Sequence, residues 1–291
     1  MAGPDLLVVS DCVMDVHLRV GSFPIPAGAV EASPDYVISP GGSCYLAAAA
    51  AKFGARVEVV DVVGDDALGS QLLSEMERAG VSMRRVRRFG STGIVAVLED
   101  GRGRSTFIGS WGSGSQLTRS DLERAVDDGP RMIYVSGYSL LGSPRREAVE
   151  SVPMLAREAG ASVAVDPGPV TGSSAQLIGA AEVVLLNEEE LQRSLPDLKP
   201  YALLVVKMGP RGARAHHGQQ RIEVPAIRVD NPVSEVGAGE VFDGVFLAKL
   251  LSGSDVGEAL RWAAAAAGLK LRGIGLDSIP DPREVEEILG R

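Results

Sequence analysis

Short apolar runs rich in β-branched residues alternate along the chain with longer stretches of helical spacing. The runs are "LLVVS" (6–10), "VEVVDVV" (57–63), "MIYVSG" (132–137), "SVAVD" (162–166), "EVVLLN" (182–187) and "ALLVVKMG" (202–209), and they predict strands. Helical spacing predicts helices over 43–54, 66–79, 145–159, 172–179 and 188–195. Because the strand runs are continuously apolar rather than alternating, both faces of their sheet must be covered, which points to a mostly parallel sheet in an α/β fold. In such sheets ligands bind at the carboxyl ends of the strands. Two regions, 16–39 and 84–110, alternate polar and apolar residues around glycine turns and read as hairpins, a second small sheet over one end of the first. Beyond residue 237 the pattern turns helical, with 238–252, 256–272 and 281–289 separated by glycines. The alanine runs 47–51 and 263–267 fit close helix packing. No repeat or linker interrupts the chain, so residues 1–291 are expected to form one domain.

Composition narrows the function. A formal net charge of −9 has the wrong sign for a chain that must neutralise many phosphates of a nucleic acid. Two cysteines, Cys12 and Cys44, are too few for a disulfide framework or a four-thiolate zinc site, and small buried hydrophobes suited to a reducing compartment are expected. The N-terminal stretch lacks a signal-peptide pattern, and no segment approaches the length of a membrane span. A soluble, cytoplasmic protein with no nucleic-acid or membrane partner is the expectation.

The stretch "SEVGAGEVFDG" (234–244) carries the candidate chemistry. Gly237, Ala238 and Gly239 would open a helix and leave backbone N–H groups unpaired at its positive end, where an anion binds. Glu240, on the same turn, could take a proton from an attacking hydroxyl while those amides stabilise a transferring phosphoryl group. A tight turn with a dipole-matched glutamate accounts for the same residues, and the motif alone leaves both readings open.

This stretch resembles the second signature of the ribokinase-like (PfkB) carbohydrate kinases, Asp-Thr-x-Gly-Ala-Gly-Asp-x-Phe-x-x-Gly, through Gly237, Ala238, Gly239, Phe242 and Gly244. The segment from Ser39 to Val81 is similar to the first signature, with Gly41-Gly42, Gly54, Gly64-Asp65-Asp66 and Gly69. "VAVDPGP", "LLNEEEL" and "VVKMGPRGA" follow in the family's order, so the likeness runs from about residue 6 to residue 275. It implies a three-layer α/β/α ribokinase-like fold with a small β-sheet lid, about 16–39 and 88–110. It also implies an ATP- and magnesium-dependent kinase for a sugar or nucleoside hydroxymethyl group; the exposed edge and apolar face of such a lid would need cover, so a homodimer formed through it is expected. Glu240 would be the base and 237–239 the anion hole. Asp15, Gly41, Gly42 and position 46 would meet the substrate. Asn187 and Glu190 would hold hydrated magnesium, and Asn187, Lys207, Gly209, Gly212 and Gly268 would line the nucleotide site, with Gly275 near the adenine pocket. A monovalent-cation requirement is left open.

Four departures bear on activity. Glu240 stands where the family has its catalytic Asp, Ser234 where the signature has its first Asp, Leu46 where a substrate-binding Asn is usual, and Gly168 at another polar position. One extra methylene displaces a carboxylate by about 1 Å, a misplacement that can cost roughly 10²-fold in rate. Leu46 suggests an acceptor more apolar, or differently hydroxylated, than ribose. These departures motivate a second reading, a catalytically weakened relative that binds nucleotide or sugar as a sensor or assembly partner. Elsewhere "GYSLL" (137–141) lacks the last glycine of a nucleophile elbow, and His17, His216 and His217 have no partners at metal spacing. "RRVRR" (84–88) reads as a solvated strand face, or as a basic cluster near a phosphorylated substrate.

Overall fold

The computed structural model describes residues 3–100, 105–141, 145–168, 175–194 and 203–290. Its main sheet is built from β1 (Leu6–Val9), β4 (Val57–Val63), β5 (Ser82–Arg88), β8 (Met132–Ser136), β9 (Ser162–Asp166), β10 (Val183–Asn187), β11 (Leu203–Lys207), β12 (Ala213–His217) and β13 (Gln220–Val224). They lie in the order β13-β12-β11-β10-β9-β8-β1-β4-β5, and pairing is parallel from β11 through to β5. The hairpin β12–β13 closes one edge in antiparallel register. Continuous apolar strands are explained by two cores. Leu6 and Val8 of β1 join one buried cluster, whereas Leu7 and Val9 join another on the opposite face.

Helices α1 (Cys44–Lys52), α2 (Ala67–Arg78), α8 (Ala238–Leu251), α9 (Val256–Lys270) and α10 (Pro282–Leu289) contribute to the first cluster. The second is covered by α3 (Arg119–Val126), α4 (Arg145–Glu150), α5 (Val152–Ala159), α6 (Ala175–Ala180) and α7 (Glu188–Ser194). The first alanine run packs α1 tightly on α8: Ala47 to Ala50 are fully buried, and a Cβ on Gly244 would lie 2.3 Å from the Leu46 carbonyl oxygen. The predicted helix over 145–159 is two helices, broken at Ser151 with Pro153 in the first turn of α5. The predicted 172–179 helix lies partly outside the described residues.

A second sheet has the order β3-β2-β6-β7, from β2 (Val13–Val20), β3 (Tyr36–Gly41), β6 (Ile94–Asp100) and β7 (Ser105–Ser110). Its two hairpin-like pairs, β2–β3 and β6–β7, are joined by a parallel β2–β6 pairing. Residues 84–88 do not belong to it. They form β5, the far edge of the main sheet, where Arg84 and Arg85 pair with Asp128 at 2.8 and 2.5 Å and Arg87 pairs with Asp121 at 3.2 Å. That ion-pair ladder produced an alternation like that of the small sheet. The "GDDALG" glycines serve the join between the sheets, since the Asp66 carboxylate caps α2 at Gly69 N–H and also accepts from the Thr92 amide at 2.8 Å. No helix among the described residues is long and apolar enough to cross a membrane.

Candidate active site

The parallel strands end in a row of polar residues. Asp11 follows β1, Ser136 ends β8, Asp166 ends β9, Asn187 ends β10 and Lys207 ends β11. Ser136 is in register with Asp166, and Asn187 with Lys207, so residues far apart in sequence become neighbours at the carboxyl ends. Above them the small sheet bounds a cleft of about 410 Å³. Asp11, Ser136, Asp166 and Glu240 line its base, Asp15, Val95 and Phe107 come from the small sheet, and Trp111 and Tyr138 form an aromatic wall with ring centroids 6.4 Å apart.

The 237–240 turn enters this cleft at the start of α8. Gly237 precedes the helix with φ +82°, and a Cβ there would meet the Tyr45 ring at 2.7 Å. Only glycine meets both conditions. Gly239, by contrast, has ordinary helical backbone, with the Lys207 Nζ 3.7 Å from where its Cβ would sit. The Ala238 amide donates to the Glu235 carbonyl at 3.1 Å, which removes it from the expected anion hole. The Gly237 and Gly239 amides have no hydrogen-bond acceptor among the described residues. Glu240 is half-buried at the cleft base. Burial raises its pKa, Lys207 opposes the rise, and Asp166 and Asp11 add to it.

Lys207 was expected along the nucleotide segment and stands beside this turn, between Asp166 at 2.7 Å and Asp243 at 2.9 Å. Burial disfavours its charge, but the two carboxylates outweigh that cost and hold its pKa well above the ordinary value. Neither Asp166 nor Asp243 is among the site residues expected from the sequence. Asp243 has a legible signal, a carboxylate one helical turn after Glu240 in a helix whose next five residues are all apolar or glycine.

On the substrate side, Asp15 lies within β2, its carboxylate against the Gly41 backbone, where a Cβ would lie 2.1 Å away. Gly42, at φ +58°, brings its backbone to the Asp11 carbonyl. Asp15 is only 4% exposed, and burial, followed by Glu240 and Asp11, raises its pKa to about 8. Asp11, the third acid not among the residues expected from the sequence, accepts from the Ser43 amide at 2.9 Å and so anchors the entry to α1. Leu46 does not reach the cleft. It is fully buried in the core beneath, and the cleft's apolar character comes from the aromatic wall instead.

Asn187 and Glu190 form a reciprocal cap at the start of α7, with Glu190 N–H donating to Asn187 Oδ1 at 2.9 Å and Asn187 N–H to Glu190 Oε2 at 2.7 Å. Burial raises the Glu190 pKa and nearby Asp166 adds to it, a concentration of negative charge that suits a hydrated divalent cation. Among the described residues no three His, Cys, Asp or Glu side chains are grouped as a direct metal cage. Gly209, with φ +55°, opens a one-turn helix at Gly209–Arg211 and has free space around it. Gly212 allows the approach of Val224 O to 2.0 Å from its would-be Cβ. Gly268 packs α9 against Ile227 and does not line the cleft. Gly275, likewise outside the cleft lining, contacts Ser39. Ser139 of "GYSLL" is buried against Val9 O and Arg145, not presented as a nucleophile.

Known proteins share this fold and part of this sequence. The chain is 29% identical to the ATP-dependent ribose-1-phosphate kinase of Halopiger xanaduensis over 94% of each chain. It is 27% identical to the ribokinase of Bacillus subtilis over 98% of this chain and 99% of that one. A putative ribokinase II from E. coli has the same fold, with a TM-score of 0.85, 19% identity and 99% of each chain covered. Residues 4–282 match the description of the pfkB family carbohydrate kinases. This chain therefore belongs to that family and is a carbohydrate or nucleoside kinase.

Proposed function

We propose that the protein transfers the γ-phosphoryl group of ATP to the hydroxymethyl group of an uncharged sugar or nucleoside, with Glu240 as general base. The observation that carries this is the placing of Glu240 beside the free Gly237 and Gly239 amides, in the cleft that Asp15 enters from the opposite sheet. Asp15, protonated up to about pH 8, can both donate to and accept from acceptor hydroxyls. Glu240 takes the hydroxymethyl proton, and the two amides stabilise charge on the transferring group. ATP supplies the phosphoryl group; Asn187 and Glu190 would hold Mg²⁺, which would screen the charge of the phosphates, and the complex of the E. coli ribokinase II with ATP and Mg²⁺ supports pairing the nucleotide with that ion.

An uncharged acceptor follows from the lining. Among the described cleft residues there is no Lys or Arg, whereas Asp11, Asp15, Asp166, Glu235 and Glu240 are all acidic. Ribose 1-phosphate, the acceptor named for the Halopiger relative, would find no cationic partner among the described lining residues. The arginines of 84–88 are engaged with acids on the far sheet edge. Trp111, Tyr138 and Phe107 suit a planar or apolar substituent, which favours a nucleoside. The sensor reading is disfavoured, since the turn, its flanking lysine and a carboxylate of raised pKa are all retained.

The test is ADP release with Mg²⁺ and ATP against free sugars, nucleosides and sugar phosphates, with Glu240→Gln as control. Turnover highest on a nucleoside or free sugar is expected. A sugar phosphate preferred at least tenfold would overturn the uncharged-acceptor assignment.

A further inference from the structure

Lys270, the last residue of α9, is completely buried, although lysine almost never is unless it is paired. Its hydrogen bonds go to backbone carbonyls, Gly273 O at 3.3 Å and Ser234 O at 3.5 Å, and its Nζ stands 5.5 Å from the centre of the Tyr45 ring. Carbonyl oxygens and a ring face are ligands that a free potassium or ammonium ion would use. The position is strategic. Ser234 leads directly into the Gly237 turn, and its hydroxyl donates to Glu99 of β6 at 2.6 Å, so one ammonium ties the phosphate turn, the covering sheet and the end of α9 together. Val233 N–H donates to Leu271 O at 2.7 Å, closing the same junction from the backbone.

We propose that the Lys270 ammonium is a tethered monovalent cation: it fills a carbonyl-lined site behind the phosphate turn, fixes that turn, and makes the enzyme independent of free potassium. A separate cation therefore does not fit there. Lys270 is a positioning residue, acting through Ser234 on the Gly237 and Gly239 amides rather than on substrate. Burial lowers its pKa to about 8 while Glu240, Glu99 and Asp15 oppose the shift, which leaves it charged at neutral pH. The consequence for turnover rests on the kinase reading, but cation binding in the emptied site does not.

The experiment compares parent, Lys270→Ala and Lys270→Met in potassium, ammonium or tetramethylammonium chloride at equal ionic strength, reading both thermal melting and ADP release. The parent should melt and turn over equally in all three salts, within about twofold. Lys270→Ala should lose at least about tenfold in rate in tetramethylammonium, as a loosened turn requires. Potassium or ammonium should then raise its melting temperature saturably and recover its rate. Lys270→Met, whose side chain fills the hole without charge, should gain from neither ion. Strong activation of the parent by potassium would overturn the proposal, as would a folded Lys270→Ala whose melting ignores both small cations. Should Lys270→Ala fold in no salt, the parent's response alone decides. If no acceptor is phosphorylated at all, the kinase reading fails while the melting comparison still tests the cation site.

Discussion

At Glu240, burial and the neighbouring Asp166 and Asp11 raise the proton affinity against the pull of Lys207. A base must be deprotonated to act, so kcat should fall as pH drops through a pKa above the ordinary 4.5 of glutamate, and a pH–rate profile locates that limb. Glu240→Gln should abolish transfer and spare ATP affinity, whereas Glu240→Asp should retain activity or raise it. Transfer at the parent rate in Glu240→Gln would remove the base assignment. Asp15 gives a stability test. Folded, it holds its proton to about pH 8; unfolded, it releases it near 3.8, so its contribution is complete below 3.8 and is lost as pH climbs toward 8. Asparagine does not titrate. The melting temperature of Asp15→Asn, relative to the parent, should therefore rise between pH 5 and pH 9, by at least the roughly 2 °C that one kcal/mol represents in a chain of this size.

The start of α8 separates two glycines that look alike in sequence. Gly239→Val adds ordinary contact near Lys207 in a helical position, so it should weaken nucleotide affinity in calorimetry and leave melting nearly unchanged. Gly237→Val, with positive φ and the Tyr45 ring 2.7 Å from its Cβ, should destabilise the fold as well. Sequence periodicity located α8, α9 and α10 because each carries a glycine or capping boundary. It missed α3, whose Thr118-x-x-Asp121 capping box was a readable signal. It also misplaced β5, because alternation tells which face is wet but not which sheet a strand joins.

Across the whole molecule, the small sheet leaves Tyr36 and Ile108 more than half exposed, at 68 and 63%, on its two edge strands β3 and β7 and on the face away from the cleft. A homodimer through this sheet would cover them. Sedimentation at micromolar concentration should show a dimer that Ile108→Lys dissociates; a monomeric parent would end this proposal.

The glycine turn with its carboxylate, the apolar strands and the order of motifs are local patterns, and local backbone preference suffices to write them into 234–244 or 57–63. Asp243 is visible one turn after Glu240 and Asp166 within a strand-end motif, but they and Asp11 become site residues only when parallel register sets Ser136 beside Asp166 and α8 brings Asp243 to Lys207. Leu46 shows the converse. Its place in a motif pointed to substrate, yet the close approach of α1 to α8 at Gly244 turns it into the core. Chain composition and periodicity settled which residues could do chemistry, whereas distance and desolvation, which exist only once the sheet is assembled, decided which of them face the same cleft.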